Sequence, residues 1–174
     1  SQHFDDIIEV VTEAGVEPVD IIASPIAASY IALSDRQKIV GSALVNIGSE
    51  TVSFAVFENG IPIFLHSFSF GSSDITNDIA LGLKIPLEKA ESFKLGNISG
   101  DYPKKKLDEI INARLAEMFE AIENRLKKIK RNELLPAGIV WIGGGASALG
   151  IVELSKSILK LPSRVGFTDI FGNA

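Results

Sequence analysis

The sequence contains no cysteine, which excludes disulfides and thiolate metal sites. Its two histidines, His3 and His66, fall on different expected elements, so no zinc site is expected. No uninterrupted apolar run approaches the roughly 20 residues needed to cross a bilayer. Neither sign of charge dominates: 17 basic against 22 acidic side chains leave a net charge of −5, which argues against a general nucleic-acid surface. Nothing at the N-terminus reads as a signal peptide, so the expected compartment is the cytoplasm. There is no internal repeat and no low-complexity tract. What is present is apolar content: 46% of 174 residues are hydrophobic, enough for one domain with a filled core.

The pattern along the chain predicts a mixed α/β fold. Phe4, Ile7, Ile8 and Val11 recur with helical spacing over 4–14, and Gly15 supplies a C-cap. A short strand is expected at 19–23. Ser24-Pro25 then reads as a helix start, N-cap residue followed by proline, for a helix reaching about Leu33. Three strands follow, at 40–46, 51–58 and 61–69, with Asn59-Gly60 as a strong hairpin signal between the last two. After Gly71 the period becomes helical, with Ser73 as cap of a helix through Leu83 and Pro86 opening another that Gly96 closes. Residues 97–103 are polar and turn-rich. A long helix runs from about Lys104 to Lys130, its apolar face formed by Leu107, Ile110, Ile111, Leu115, Met118, Phe119, Ile122, Leu126 and Ile129. A strand at 138–142, a helix at 150–160 and a strand near 163–166 complete a mixed sheet flanked by helices.

Two turns carry the chemistry. Gly143-Gly144-Gly145 follows a buried strand, and glycines without Cβ atoms let a turn pack flat against a ligand. The turn Asn46-Ile47-Gly48-Ser49-Glu50-Thr51 joins two adjacent strands and can open on the same sheet edge. A third contributor is Ala90-Glu91-Ser92-Phe93-Lys94. Glu91 and Lys94 share a helical face, the carboxylate able to accept from ribose hydroxyls and the lysine stem able to flank a base. Each feature also has a purely structural reading: a tight strand–helix turn, ordinary turn residues, an exposed helical ion pair. Asp78 is expected to stabilise the fold by bonding a nearby helix end or loop. The basic groups Lys104–Lys106 and Lys127, Lys128, Lys130 and Arg131 are expected to be solvated, His66 a surface or satisfied residue, and Trp141 core.

With these features in place, the chain resembles the second half of the bacterial cell-division protein family FtsA, in the actin, heat-shock ATPase and sugar-kinase superfamily. The resemblance runs from about Val16 to Gly166. It rests on Ser24-Pro25-Ile26-Ala27-Ala28-Ser29, the strand–turn–strand at 43–58 and Asn59-Gly60. The most specific piece is Ile75-Thr76-Asn77-Asp78-Ile79-Ala80-Leu81-Gly82-Leu83 followed by Ala90-Glu91-Ser92-Phe93-Lys94. Glu109-Ile110-Ile111-Asn112-Ala113-Arg114-Leu115, Leu135-Pro136-Ala137-Gly138 and Leu161-Pro162-Ser163-Arg164-Val165-Gly166 add to it, and order and spacing together carry the assignment.

The resemblance implies an actin-like (ribonuclease-H-like) sheet that is one lobe of a two-lobed ATPase fold closing on ATP and magnesium. Residues 1–20 would be a connecting helix and linker from a first lobe, and 21–174 the second lobe. It implies Gly48, Thr51, Glu91, Lys94, Gly143, Gly144 and Gly145 as nucleotide contacts. Implied partners are a tubulin-like FtsZ division protein, other division proteins and further copies of the chain, at the inner face of the membrane at the division site. Membrane contact would come only through a region outside this sequence.

Two departures stand out. The family's phosphate turn reads Asp-Ile-Gly-Gly-Gly-Thr-Thr; here it is Asn46-Ile47-Gly48-Ser49-Glu50-Thr51-Val52. Neutral Asn46 replaces the aspartate that orients magnesium-bound water, and no residue is assigned to a metal. Glu50 repels phosphate: unit charges ~4 Å apart cost about 1 kcal/mol even at the dielectric of water. A glycine pair expected after the third strand is Gly71-Ser72. The expectation is therefore kept adenosine recognition with weakened phosphate and magnesium handling, and hydrolysis weak or absent. Second, Leu95–Pro103 is too short for the small subdomain usual between the Lys94 helix and the long helix, which is reduced or missing near 95–106. The other readings within the superfamily are a PilM-type pilus-assembly platform and an active ATPase or small-molecule kinase.

Overall fold

The computed structural model describes residues 2–97 and 102–166. The turn-rich segment 98–101, on which the short connection between helices depends, and the last residues, 167–174, lie outside the described residues, as does the side chain of His3. The elements are α1 (Gln2–Glu13), α2 (Ser24–Ala32), α3 (Asp35–Val40), β1 (Ser42–Ile47), β2 (Val52–Glu58), β3 (Ile61–Phe68), α4 (Ser72–Leu83), α5 (Leu87–Lys94), α6 (Lys104–Lys128), β4 (Ile139–Ile142), α7 (Ile151–Leu159) and β5 (Ser163–Val165). A 3-10 turn, Gly144–Ser147, sits between β4 and α7.

The sheet order is β3-β2-β1-β4-β5. The first three strands form the antiparallel meander that the alternating pattern calls for, with Asn46 opposite Ser53 and Phe54 opposite His66. β4 joins β1 in parallel, Asn46 opposite Ile142, and β5 joins β4 in parallel. Asn59 and Gly60 take the positive φ values, 54° and 81°, of a two-residue hairpin turn. Their N–H groups donate to the carbonyls of Ile39 and Lys38, so the hairpin tip also caps the end of α3.

Both faces of the central strands are buried, for different partners. Ala43, Val45, Ile47, Val52, Phe54, Val56, Ile139 and Trp141 face α4, α5, α6 and α7. Leu44, Ala55, Phe57 and Val140 face the smaller layer of α2 and α3 with Ala32 and Leu33. α6 is the main strut of the larger layer: Leu107, Ile111, Leu115, Met118, Phe119, Ile122 and Leu126 are buried, while Ile110 and Ile129 are partly covered. Trp141 stacks at a tilt on Phe119, ring centroids 4.9 Å apart, and its Nε1–H donates to Ser163 Oγ at 2.6 Å.

Four expectations are corrected. Residues 19–23 form no strand: no neighbouring strand of the sheet reaches them, and Val19 is 95% exposed. The next strand starts at Ser42 rather than Val40, because a six-residue helix, α3, intervenes. It is fixed by a Ser34–Gln37 capping box. Ser24 does not cap α2; Ala23 holds the N-cap position, and Ser24 and Pro25 open the first turn. Nor does Ser73 cap α4. Gly71 precedes that helix, and Asp74 accepts from the Gly71 N–H at 2.9 Å.

Candidate functional site

Because β1 and β4 are parallel neighbours, the turns that leave their carboxyl ends open on one edge of the sheet, the place where open α/β sheets bind ligands. The start of α4 joins them there. Gly48 N–H closes the first turn on the Thr51 carbonyl at 2.9 Å. The Gly48 and Ser49 carbonyls then accept from the N–H groups of Ser72 and Ser73, at 2.9 and 2.8 Å. The hydroxyls of Ser49 and Ser73 meet at 2.6 Å and fasten the turn to the helix. With the Gly71 N–H already taken by Asp74, the N–H groups at 71–73 all have partners within the chain, so this helix start holds no free donor among them for an anion.

The three glycines do different work. A Cβ on Gly143 would overlap Asn46 Oδ1 and the Ile47 carbonyl, and its φ of 87° disfavours any side chain. One on Gly145 would overlap the Ile47 side chain and press on Ser72. Both are demanded by the close approach of the glycine turn to β1 and α4. Gly144 is exposed and has no atom within 4 Å of where its Cβ would be. It is the glycine of the three whose missing side chain leaves room for something outside the fold. Thr51 and Glu50 are both exposed at the tip of the first turn.

Glu91 and Lys94, at the end of α5, part ways. Lys94 is 4% exposed. Its ammonium donates to the Ser72 carbonyl at 3.2 Å and to Thr76 Oγ1 at 2.9 Å, and pairs with Glu91 Oε2 at 2.6 Å. Lys94 thus ties α5 onto the first turn of α4, and its head points into the protein. The Glu91 side chain stays 46% exposed. Burial alone would raise its pKa, but hydrogen bonds from Lys94 and Thr76 and the ammonium charge outweigh that and hold it below the ordinary glutamate value. Ser73, Thr76, Asn77, Leu87, Glu88 and Glu91 line a cleft of ≈ 350 Å³ between α4 and α5, and Ser73 is also the residue that holds Ser49 of the first turn.

The spacing of Glu91 and Lys94 signals a shared face but cannot say which one is buried. Sequence reasoning missed Ser49–Ser73 as a clasp and Thr76 as the hub between Lys94 and Glu91. Asp78 bonds not a helix end or loop but the Arg114 guanidinium on α6, through Nε at 2.6 Å and Nη2 at 3.0 Å. That pairing raises the pKa of Arg114 further. His66 is half-buried within the ring cluster of Phe54, Phe64 and Phe68. Burial, then the charges of Arg125 and Lys128, lower its pKa. The lysine groups are mixed: Lys127 pairs with Glu123 at 2.7 Å, and Arg131 with Glu58 at 2.8 Å.

The 3-2-1-4-5 sheet, helices on both faces and turns converging at the ends of β1 and β4 define an actin-like lobe. Solved structures agree. MreB5 of Spiroplasma citri bound to ADP superposes with a TM-score of 0.74 at 19% identity, over 94% of this chain and 60% of that one. A PilM–PilN type IV pilus biogenesis complex gives 0.73 at 21%, over 93% and 46%. At these identities the likeness concerns the fold. Within that class the sequence decides: residues 43–172 match the family model "Cell division protein FtsA", and the chain belongs to that family. The FtsA proteins of Pseudomonas aeruginosa and Bacillus subtilis are 31% and 30% identical over 92% and 96% of this chain. The chain spans less than half of their length, 44% and 43%.

Proposed function

We propose that this lobe forms one wall of an adenine-nucleotide cleft in an actin-like cell-division scaffold, whose work is nucleotide-influenced assembly and partner docking at the division site. The observation that carries this is the convergence of the Gly48–Thr51 turn, the Gly143–Gly145 turn and the start of α4 on one edge, with Gly144 open beside them. The residues fit a nucleotide in part. Gly144 permits flat approach, and the exposed Glu91 carboxylate in the α4–α5 cleft is an acceptor of the kind a ribose hydroxyl needs. Lys94 supports that wall from inside by fixing Glu91 and Ser72.

The fit to magnesium is poor. Asn46 offers a neutral oxygen already packed against Gly143, and no group of three or more potential metal-binding side chains gathers among the described residues. The neutral Asn46 and the exposed Glu50 support binding without efficient hydrolysis. An FtsZ-like protein, other division proteins and further copies of the chain are the proposed partners, with the membrane reached through a region outside this sequence.

The test is ATP binding by the intact protein with and without magnesium, comparing the natural chain with Gly144→Asp and Glu91→Gln. Binding weakened at least ten-fold by Gly144→Asp, and nearly independent of magnesium, is expected. Rapid magnesium-dependent turnover would instead make the protein an active ATPase.

A further inference from the structure

The end of the sheet away from the glycine turns is a second surface of distinct chemistry. β1, β4 and β5 run parallel, so their amino ends lie together there. The tip of the β2–β3 hairpin joins them, since Phe57 stands opposite Ser42. The carboxyl ends of α3 and α6 close on the same place. The Asn59 N–H donates to the Ile39 carbonyl at 3.0 Å, and the Ala137 N–H to the Gly41 carbonyl at 2.9 Å. Arg131, just past α6, pairs with Glu58 of the hairpin, and Lys160, just past α7, pairs with Glu133 at 3.2 Å.

Two kinds of side chain are left over at this end. Ile39 and Val40 on the last turn of α3, Ile61 beside the hairpin tip and Leu134 in the loop after α6 are 55%, 44%, 60% and 62% exposed. Around them the carboxylates are engaged: Glu58 holds Arg131, Glu123 holds Lys127 and Glu133 holds Lys160. Arg36, Lys128 and Lys130 are exposed and pair with no carboxylate among the described residues. Against these three cations stands Asp35 in the first turn of α3. Cations near the end of α6 complement its dipole. That role explains neither Arg36 nor four exposed aliphatic side chains gathered at one end.

We propose that this end rests on an anionic lipid surface, with Ile39, Val40, Ile61 and Leu134 entering the headgroup layer and Arg36, Lys128 and Lys130 among the lipid phosphates. The contact is separate from the nucleotide cleft and from any membrane contact made by a region outside this sequence. Three observations select the occupant. Unpaired cations beside exposed aliphatic groups are the combination that such an interface satisfies, charge with headgroups and apolar area with acyl chains. The aliphatic groups come from three separate segments and stand at turns and helix ends, and a fluid surface receives them without a matching shape. Two of the three free cations are lysines, flexible point charges suited to mobile headgroups rather than planar forks for a fixed carboxylate. The net charge of −5 then sets the orientation, because the acidic remainder of the chain is repelled by the same surface.

The experiment sediments the 174-residue chain with vesicles of phosphatidylcholine alone, or of phosphatidylcholine mixed with phosphatidylglycerol, at low and high salt. Binding to the anionic vesicles is expected, weakened by salt, with none to the neutral ones. Reversing Arg36, Lys128 and Lys130 to glutamate should weaken it about ten-fold or more. Reversing Lys104, Lys105 and Lys106, at the other end of α6, makes the same change in net charge and should cost far less. Ile61→Ser with Leu134→Ser should also weaken binding without altering the charge. Absent binding to anionic vesicles, or equal loss from the two charge reversals, overturns the proposal. So does lipid-free self-association that Ile61→Ser with Leu134→Ser abolishes, which would make a second copy the occupant. Should the reversed chain fail to fold by circular dichroism, a dye decides. The sequence has no cysteine, so Leu134→Cys carries a single environment-sensitive label. A blue shift of its emission on anionic vesicles supports the contact, and an unchanged spectrum overturns it.

Discussion

Gly143 lies against the Asn46 carboxamide so closely that a Cβ at 143 would overlap Asn46 Oδ1. The residue that departs from the family's acidic pattern and the glycine that keeps to the family's pattern are thus packed together at the ends of β1 and β4. Asn46→Asp therefore places a carboxylate against a backbone turn already fitted to the neutral group. Restored magnesium dependence of nucleotide binding in Asn46→Asp would show that this one position controls metal handling; unchanged dependence would assign it to Ser49 and Glu50 as well. We expect the second outcome, because the exposed Glu50 would still repel the phosphates of the proposed nucleotide.

The glycines should separate stability from binding. Gly145→Ala forces a methyl into Ile47 and should cost about 1–3 kcal/mol, the usual range for overpacking a tight site. Gly144→Ala meets nothing and should leave the melting transition unchanged. Equal destabilisation by both substitutions would contradict the assignment of Gly144 to a ligand-facing role.

Lys94→Met keeps the buried stem and removes the ammonium. It removes one donor each from the Ser72 carbonyl and Thr76 Oγ1 and leaves Glu91 without its cation, so a loss of roughly 1–3 kcal/mol in chemical denaturation is expected. The effect should appear without nucleotide. A lysine that served only the ligand would give no change in the apo protein.

Two groups predict acid sensitivity in adjacent windows. His66 titrates below its ordinary value in the folded chain, so stability is full above the unfolded histidine pKa, about 6.5, and falls as pH drops through the lower folded value. Glu91 is also depressed; its contribution is full above the unfolded glutamate value, about 4.3, and is lost as pH falls further. His66→Phe should remove the upper step and Glu91→Gln the lower, in melts taken across pH.

Arg114 and Asp78 join α6 to α4 through two hydrogen bonds, with side chains 31% and 30% exposed. A double-mutant cycle to alanine should return a coupling of about 1 kcal/mol, near the top of the range for partly exposed pairs because the geometry is bidentate. A coupling near zero would reduce the pair to a surface contact.

Much of this architecture is legible in the residues. Asn59-Gly60 specifies its hairpin because few other pairs tolerate two positive φ angles, and the α6 stripe is long enough to fix both the helix and its buried face. α3 escapes notice because Ile39 and Val40 read as the start of a strand, although the Ser34–Gln37 capping box was available as a signal. The 19–23 segment has strand propensity but no neighbour, and propensity without a ladder leaves it unpaired. At the site, spacing pairs Glu91 with Lys94, but which of them faces the interior depends on Ser72 and Thr76, which only the packing of α5 on α4 brings within reach.

Trp141 is the single tryptophan of the chain, fully buried, its indole N–H held by Ser163, and it stands on β4 two residues before Gly143. The molecule therefore carries its own optical reporter. Emission from this indole senses the strand that feeds the glycine turn, so the proposed nucleotide, seated at that turn, is expected to shift its wavelength or intensity. No extrinsic label is needed, and no competing tryptophan elsewhere in the chain blurs the signal.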